Sequence, residues 1–367
     1  MPRYIHQRPQ WPNFYWDETI VSPVLGQVRY MQGKISGRME ALGFSVQTEA
    51  ILQTLTEDVL KSSEIEGEIL NIDQVRSSVA RRLGLELAGL IPSDRNVDGV
   101  VEMILDATQR YGTPLTADRL FGWHSSLFPS GRSGMFKITV GNWRDHEKGP
   151  MQVVSGAMGK EIVHFEAPDA SRLEAEMALF TQWFNDDQGL DAVLKSGIAH
   201  LWFVTIHPFD DGNGRIARAI ADMQLARADD STQRYYSMSS QIRRQRNEYY
   251  AILEKTQKGD LDITAWLEWF LLCLQASMKI TATTLDAVLK RVHFWDKHAS
   301  TALNARQRTM INKMQEGFFG QLSSSKWAKM VKSSQDTATR DIQDLVEKGV
   351  LKKSESGGRS THYELLW

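Results

Sequence analysis

The chain has 367 residues, 42% of them hydrophobic and 24% charged, with a formal net charge of −2 and one cysteine. That balance is ordinary for a globular protein of two or three compact units and excludes a disordered chain, a disulfide scaffold and a strongly basic nucleic-acid binder. No apolar run reaches the ~18 residues of a membrane span, and MPRYIHQRPQWPNFYWD lacks a signal-peptide core, so a cytoplasmic protein without membrane contact is expected.

In chain order, residues 1–35 are rich in aromatic residues and proline, with Trp11, Phe14, Tyr15 and Trp16 close together, and are expected to form an irregular arm packed on the body. From Gln27 to about Asn71 the apolar spacing is helical, and further helices are predicted at Asp73–Arg82, Val97–Tyr111 and Ala117–Leu127. Between Gly131 and Phe165, glycines and short β-prone runs predict a hairpin. Helical patterning resumes over Ser171–Asn185, Asp191–Thr205, Gly214–Arg227, Ser239–Thr256 and Ile263–His298. A mainly α body, residues 36–298, with one small β element is expected. Cys273, in WFLLCLQA, and the Trp266, Trp269 and Phe270 cluster are read as core.

Residues 301–367 carry 11 Lys and Arg against 7 Asp and Glu, a balance of +4 that leaves −6 for the remainder. They predict a helix, a polar turn at Ser333–Asp336, a helix over Thr337–Lys348 and two β runs joined across SESGGRS, an order that resembles a winged helix. On that resemblance Thr339, Arg340 and Gln343 would face a DNA groove and Arg359 would meet a phosphate. The alternative is a module that docks protein or makes a homodimer.

Residues 207–218, HPFDDGNGRIAR, interrupt two helical stretches with turn residues. The P-loop pattern GxxxxGK(S/T) is absent. Gly212, Gly214 and Ala217 satisfy a dinucleotide-type GxGxx(G/A), but a helical pattern precedes them and no strand–helix alternation surrounds them. The helix opening at Gly214 leaves its first N–H groups unpaired, which makes its start an anion site, and Gly212 and Gly214 let an anion approach the main chain. Arg215 and Arg218, three apart, share one face and can reach successive phosphates. Cations at a helix start are unfavourable unless an anion answers them. Asp211 is suited to a Mg²⁺ bridging phosphate oxygens, and His207 can accept a proton at neutral pH. Together these parts describe transfer of a nucleotide phosphate to a hydroxyl.

The pattern HxFx(D/E)GNGRxxR, met at His207, Phe209, Asp211, Gly212, Asn213, Gly214, Arg215 and Arg218, resembles the signature of the Fic family. The likeness extends from roughly Thr48 to His298, and the arm resembles an extension found on one bacterial branch. It implies a Fic-type helical bundle and AMPylation: ATP with Mg²⁺ donates AMP to a Ser, Thr or Tyr hydroxyl of a protein, or of the chain itself. It also implies that Phe209 anchors the loop and that Asn213 bonds the phosphates or fixes the loop.

Within the helical segment 48–71, SSEIEG fits the family's inhibitory pattern (S/T)xxxE(G/N) through Ser62, Glu66 and Gly67. By that resemblance Glu66 pairs with Arg218 and misplaces the α-phosphate. The alternative is a helix start, since Ser63 and Glu66 also form a capping box. MQVVSG, Met151–Gly156, occupies the place of the family's flap, with Val153 and Val154 beside the nucleotide and target. Tyr249 and Tyr250 match a pair lining the adenine pocket, with Gln257 nearby; core packing is the alternative. His6, His124, His146, His164, His200, His293, His298 and His362 show no metal-ligand spacing and are read as structural or solvated. Removal of AMP at the same site, with Glu66 orienting a water, and nucleotide sensing by a DNA-binding regulator are the competing functions.

Overall fold

A computed structural model describes residues 2–85, 89–147, 149–156, 160–186, 189–316, 321–354 and 362–367. The chain divides into two compact units, Met1–Thr281 and Ala282–Trp367. In the first, α1 (Glu18–Glu40), α2 (Phe44–Ile65), α3 (Ile72–Arg82), α4 (Arg95–Gln109) and α5 (Ala117–Leu127) precede two antiparallel hairpins. These are β1 (Arg132–Ser133) with β2 (Phe136–Lys137), and β3 (Gln152–Ser155) with β4 (Ile162–Glu166). Then come α6 (Leu173–Asn185), α7 (Ala192–Ile206), α8 (Asn213–Asp229), α9 (Met238–Arg244) and α10 (Arg246–Gln257), and α11 (Thr264–Lys297) begins in this unit and continues past Thr281. The body is thus mainly helical with small strand pairs. Helix starts follow their caps: the side chains of Asp17, Asn71, Asp94, Thr116, Asp191 and Ser237 each accept a backbone N–H of the first turn.

The first ~70 residues depart from their reading. The arm is irregular only as far as Asp17, and the continuous helical pattern after Gln27 breaks at Ala41–Gly43 into α1 and α2. Gly43, without a Cβ to hold helical backbone, stands at the N-cap of α2. Likewise Ser239–Thr256 is two helices, because Gln245 adopts φ −108° and ψ 30° between α9 and α10. The aromatic arm packs edge-on: Trp11 and Phe14 both meet Trp202, and the Trp11 indole donates to Glu176 at 2.9 Å. Trp266 and Phe270 are core residues, with Trp266 donating to the Gly197 carbonyl at 2.8 Å.

α7 is buried at every residue from Val193 to Ile206, which makes it the central helix of the unit. α8 packs against it and is itself buried over most of its length. α2 lies against α8 in opposite sense. Asp58, Ser62 and Glu66 are spaced i, i+4, i+8 on one face of α2, and Gly214, Arg218 and Asp222 have the same spacing on α8. Ser62 and Glu66 meet Arg218. At the other end Arg234 pairs with Asp222 at 2.6 Å while Ser237 donates to Asp58 Oδ1. A polar ladder therefore fixes how far α2 slides along α8. The pattern predicted two amphipathic helices and gave no hint of their register.

In the second unit α12 (Ala305–Glu316), α13 (Ser324–Met330) and α14 (Gln335–Glu347) precede β5 (Leu351–Lys353), which pairs antiparallel with β6 (Tyr363–Leu365). Its core is Phe294, Met310, Ile311, Leu322, Trp327, Ile342, Leu345, Val350 and Leu351. Thr339 is half-buried, Arg340 and Gln343 are exposed, and Arg359 lies outside the described residues. α14 carries Asp336, Asp341, Asp344 and Glu347 beside Arg340, and Asp341 and Asp344 are paired with Arg306 and Lys348.

Burial first, and the Asp222 carboxylate second, push the Asp58 carboxyl up to about 7. Its Oδ2 is buried with no hydrogen-bond partner, as suits the protonated form. An acid that holds its proton more tightly folded than unfolded contributes stability that is complete below about 4 and lost as pH rises through about 7. Asp58→Asn keeps the shape and removes the charge, so it is expected to unfold at a higher temperature than wild type at pH 8 and to lose that advantage at pH 5. Thermal unfolding followed by circular dichroism at the two pH values checks this.

Candidate active site

The loop between α7 and α8 is built by its own backbone. His207 ends α7 in the left-handed region, φ 53°, a conformation that costs a non-glycine residue ~1–2 kcal/mol. Two contacts hold it there: its N–H donates to Phe203 O at 3.0 Å, and Arg144 Nε donates to its carbonyl at 2.8 Å. Arg144 is buried, donates its backbone N–H to Pro208 O and gives another guanidinium bond to Pro168 O, so one side chain ties the loop to the segment leading into α6. Phe209 is fully buried and stacks on His124, ring centroids 4.1 Å apart.

His207 Nδ1 lies 3.2 Å from Val204 O. A carbonyl only accepts, so Nδ1 carries the proton and Nε2 keeps its lone pair. The ring is half-buried; burial pulls its pKa down to about 4, against the raising effect of the Val204 bond. His207 is therefore neutral across the physiological range, with a free basic nitrogen.

Asn213 fixes the loop: its Oδ1 accepts from Phe209 N at 3.0 Å and its Nδ2 donates to Phe209 O at 2.8 Å. Of the two roles the resemblance allowed it, this is the one its contacts describe. Gly212, with φ 82°, turns the chain into α8 and donates to Asp211 Oδ1 at 2.6 Å. Ser133 of β1 donates to Asp211 Oδ2. Both partners are neutral donors, so the carboxylate keeps lone pairs for a cation. Among the described residues no group of three or more His, Cys, Asp or Glu is gathered for a metal. A single carboxylate beside a phosphate site is nonetheless a donor set Mg²⁺ accepts, because that ion takes much of its shell from phosphates and water.

The two arginines at the start of α8 are 3% exposed, and each is met by a carboxylate from the turn after α2. Arg218 Nη1 pairs with Glu66 Oε1 at 2.8 Å, while its Nε and Nη2 donate to Ser62 Oγ at 3.0 Å and Ser62 O at 2.8 Å. Glu66 raises the Arg218 pKa against the lowering effect of burial. Arg215 Nη1 pairs with Glu68 Oε2 at 2.6 Å, and its guanidinium lies over the Phe128 ring. A Cβ built on Gly214 would stand 2.2 Å from Glu66 Oε1, so the carboxylate occupies the approach to the helix start that this glycine leaves open.

That turn is a helix end. Glu68 N donates to Ser63 O and Gly67 N to Glu64 O, with Gly67 in the left-handed region at φ 88°, which is a Schellman closure. The capping-box reading of Ser63 and Glu66 is therefore corrected, because both residues lie in the last turn of α2 rather than its first. α10 supports the turn from the far side: Arg246 Nε donates to Ile65 O at 2.7 Å, and the Tyr250 hydroxyl lies 3.3 Å from Glu66 Oε2.

Tyr249 is 1% exposed, bonds His200 Nε2 through its hydroxyl at 2.8 Å and also interacts with Arg218. Gln257 is buried and donates to Thr205 Oγ1 at 3.2 Å. Val153 packs against the Tyr4, Phe165 and Ala167 cluster, whereas its neighbour Val154 points outward across a bulge.

Sequence reasoning missed Glu68, Ser133, Arg144 and His124. Gly141 N donates to His124 Nδ1, so the Nε2 of that ring carries the proton and donates to Asp211 O at 3.2 Å. Burial lowers its pKa to about 4 and keeps it neutral. Glu68 had a signal: carboxylates on either side of Gly67 answer arginines three apart. The other three reach the loop from 63 to 87 residues away in sequence, which no local pattern encodes.

Residues 114–225 match the model of the Fic/DOC family, and residues 4–85 match a domain of unknown function, DUF4172. A protein adenylyltransferase fic-1 of Caenorhabditis briggsae is 28% identical over 201 residues, 54% of this chain and 36% of that protein. A protein adenylyltransferase Fic of Drosophila mojavensis is 25% identical over 206 residues, 55% and 37% of the two chains. The chain thus spans little more than a third of the length of these curated relatives. Among solved structures, a Fic family protein from Desulfovibrio desulfuricans superposes with a TM-score of 0.54 at 20% identity, covering 96% of this chain and 97% of that one. A Fic domain containing signaling protein from Bacteroides thetaiotaomicron gives 0.51 at 20% identity, covering 70% and 98%. At those identities the likeness is one of fold. The Fic/DOC family model encloses the whole loop from His207 to Arg218, so residues 114–225 are similar to that family, and the solved structures share its fold.

Proposed function

We propose that the chain is a protein adenylyltransferase held inactive by its own Glu66. The observation that carries this reading is the pairing of both helix-start arginines with Glu66 and Glu68, anions standing where phosphate oxygens would be received. With the turn withdrawn, the arginines and the first N–H groups of α8 would cradle the phosphates of ATP. His207 Nε2 would take the proton of a Ser, Thr or Tyr hydroxyl on a target protein as its oxygen attacks the α-phosphorus and pyrophosphate leaves. Asp211 is the residue that would hold Mg²⁺, which neutralises charge on the phosphate oxygens. The outward Val154 edge of the flap suits an extended segment of the target, and Tyr250 is the aromatic residue nearest the nucleotide. The relatives named adenylyltransferases support the reaction class.

Inhibition follows from geometry. A carboxylate at Gly214 and an ion pair on Arg218 displace a terminal phosphate, and a shift of about 1 Å at the reacting centre can lower the rate ~100-fold. Glu66→Gly is therefore expected to raise incorporation of AMP from α-labelled ATP with Mg²⁺ into lysate proteins by at least tenfold. Unchanged incorporation overturns the inhibitory role. Adding His207→Ala is expected to abolish the signal, and its persistence removes His207 as the base.

Glu68 is half-exposed, and exposed pairs contribute only ~0–1 kcal/mol, so Glu68→Ala is expected to release activity by a few-fold at most, measured in the same assay. Because burial holds His207 near 4, the released variant is expected to show a flat rate from pH 6 to 8 with an acid limb well below 6. An acid limb at the ordinary histidine value of 6.5 contradicts this.

A further inference from the structure

Outside the anion site, the junction of α9 and α10 opens a cleft of about 500 Å³ against the end of α2. Arg243, Arg244 and Arg246 line it together with Glu64 and Gly67, and no other four-residue stretch of the sequence holds three cations. Their charges are poorly answered. Glu64 lies 2.8 Å from Lys61 Nζ but 3.5 Å from Arg243 Nε, outside good hydrogen-bond range, and Arg243 is 44% exposed. Arg244 is exposed and meets no carboxylate among the described residues. Arg246 gives its Nε to Ile65 O at 2.7 Å and lies over the Tyr250 ring, which leaves its two Nη groups for another acceptor. The cleft also receives the start of α10, which has no side-chain cap, and Gln245, whose Oε1 is buried without a donor. Turned over about its last torsion, that amide would direct N–H groups at a bound anion.

Guanidinium forks fit phosphate oxygens, and a cleft of that size with three of them takes more than one phosphate group. We propose that it is an effector site for a small polyphosphate, and that filling it draws the end of α2 away from α8; as regulation this rests on the adenylyltransferase reading above, as binding it does not. The direction follows from the contacts already made there. Arg243 with Glu64, and Arg246 with Ile65 O, are two clasps on the residues just before Glu66, and a polyphosphate competes for both guanidinia. Its charge also repels Glu64. The ligand therefore binds more tightly once this turn has withdrawn, and by linkage its binding favours the withdrawn state, in which Glu66 leaves Arg218.

Calorimetry with inorganic tripolyphosphate on the full-length chain, without Mg²⁺, tests the site. Arg243→Gln/Arg244→Gln, at two exposed positions, is expected to weaken binding at least tenfold, whereas Lys352→Gln/Lys353→Gln, which removes as much charge from β5, leaves it unchanged. Equal affinity of the cleft variant and wild type, as binding at the start of α8 would give, or equal loss in both variants, overturns the site. Glu64→Gln is expected to bind severalfold more tightly, and no gain overturns the competition. ADP is titrated in parallel and read as the difference between wild type and the cleft variant: a difference no larger than that for tripolyphosphate means the phosphates alone are recognised, a larger one that a nucleotide carries them. Hydrogen exchange read by mass spectrometry follows the amides of Glu66, Gly67 and Glu68, which bond within the turn. Saturating tripolyphosphate is expected to speed their exchange at least fivefold in wild type and not in the cleft variant; binding without that change overturns the regulatory role. AMP incorporation by Glu66→Gly reports the adenylyltransferase reading separately, and its failure leaves the effector site standing.

Discussion

A guanidinium 3% exposed to water cannot stand alone, and the arrangement around Arg218 follows from that requirement. Removing a partner from a buried ion pair typically costs ~3–5 kcal/mol, far more than a surface pair contributes. The chain answers the charge with Ser62 and Glu66. On the proposed function, catalytic readiness and structural neutrality would compete for this one residue, with a protein carboxylate or a nucleotide phosphate as the anion that neutralises it.

The same demand explains why α2 and α8 are so closely matched. Polar residues at four-residue intervals on both helices place Glu66 against Gly214, Ser62 against Arg218 and Asp58 near Asp222, with Arg234 bridging at the far end. Most of the other buried positions of α2, among them Leu52, Leu55, Val59 and Ile65, are apolar and would tolerate sliding. The polar rungs would not. The segments matching two separate family models, 4–85 and 114–225, thus meet through charge and hydrogen bonds at one register.

Much of this was legible in the residues. The loop from His207 to Arg218 reads as a candidate anion site because of its glycines, asparagine and two arginines at a helix start, and the helical body followed from apolar spacing. Ser62, Glu66 and Gly67 were found as a pattern, whereas the capping-box reading of Ser63 and Glu66 failed because spacing alone does not say which end of a helix it marks. Tyr249 shows the converse limit: an aromatic on a helix looks the same from sequence whether it lines a pocket or the core, and its bond to His200 spans 49 residues. Ser133, Arg144 and His124 act on the loop through backbone carbonyls and single side-chain contacts, which leave no periodic trace.

The Schellman turn at Gly67 ties Glu66 and Glu68 to the same polypeptide as the arginines they meet. For a tethered group the local concentration is fixed by chain geometry, commonly in the millimolar range or above, and is indifferent to how dilute the protein becomes. If these carboxylates inhibit as proposed, they could not dissociate and diffuse away as a separate subunit would, and an anion competing for the arginines or a shift of α2 along its neighbour would have to displace them.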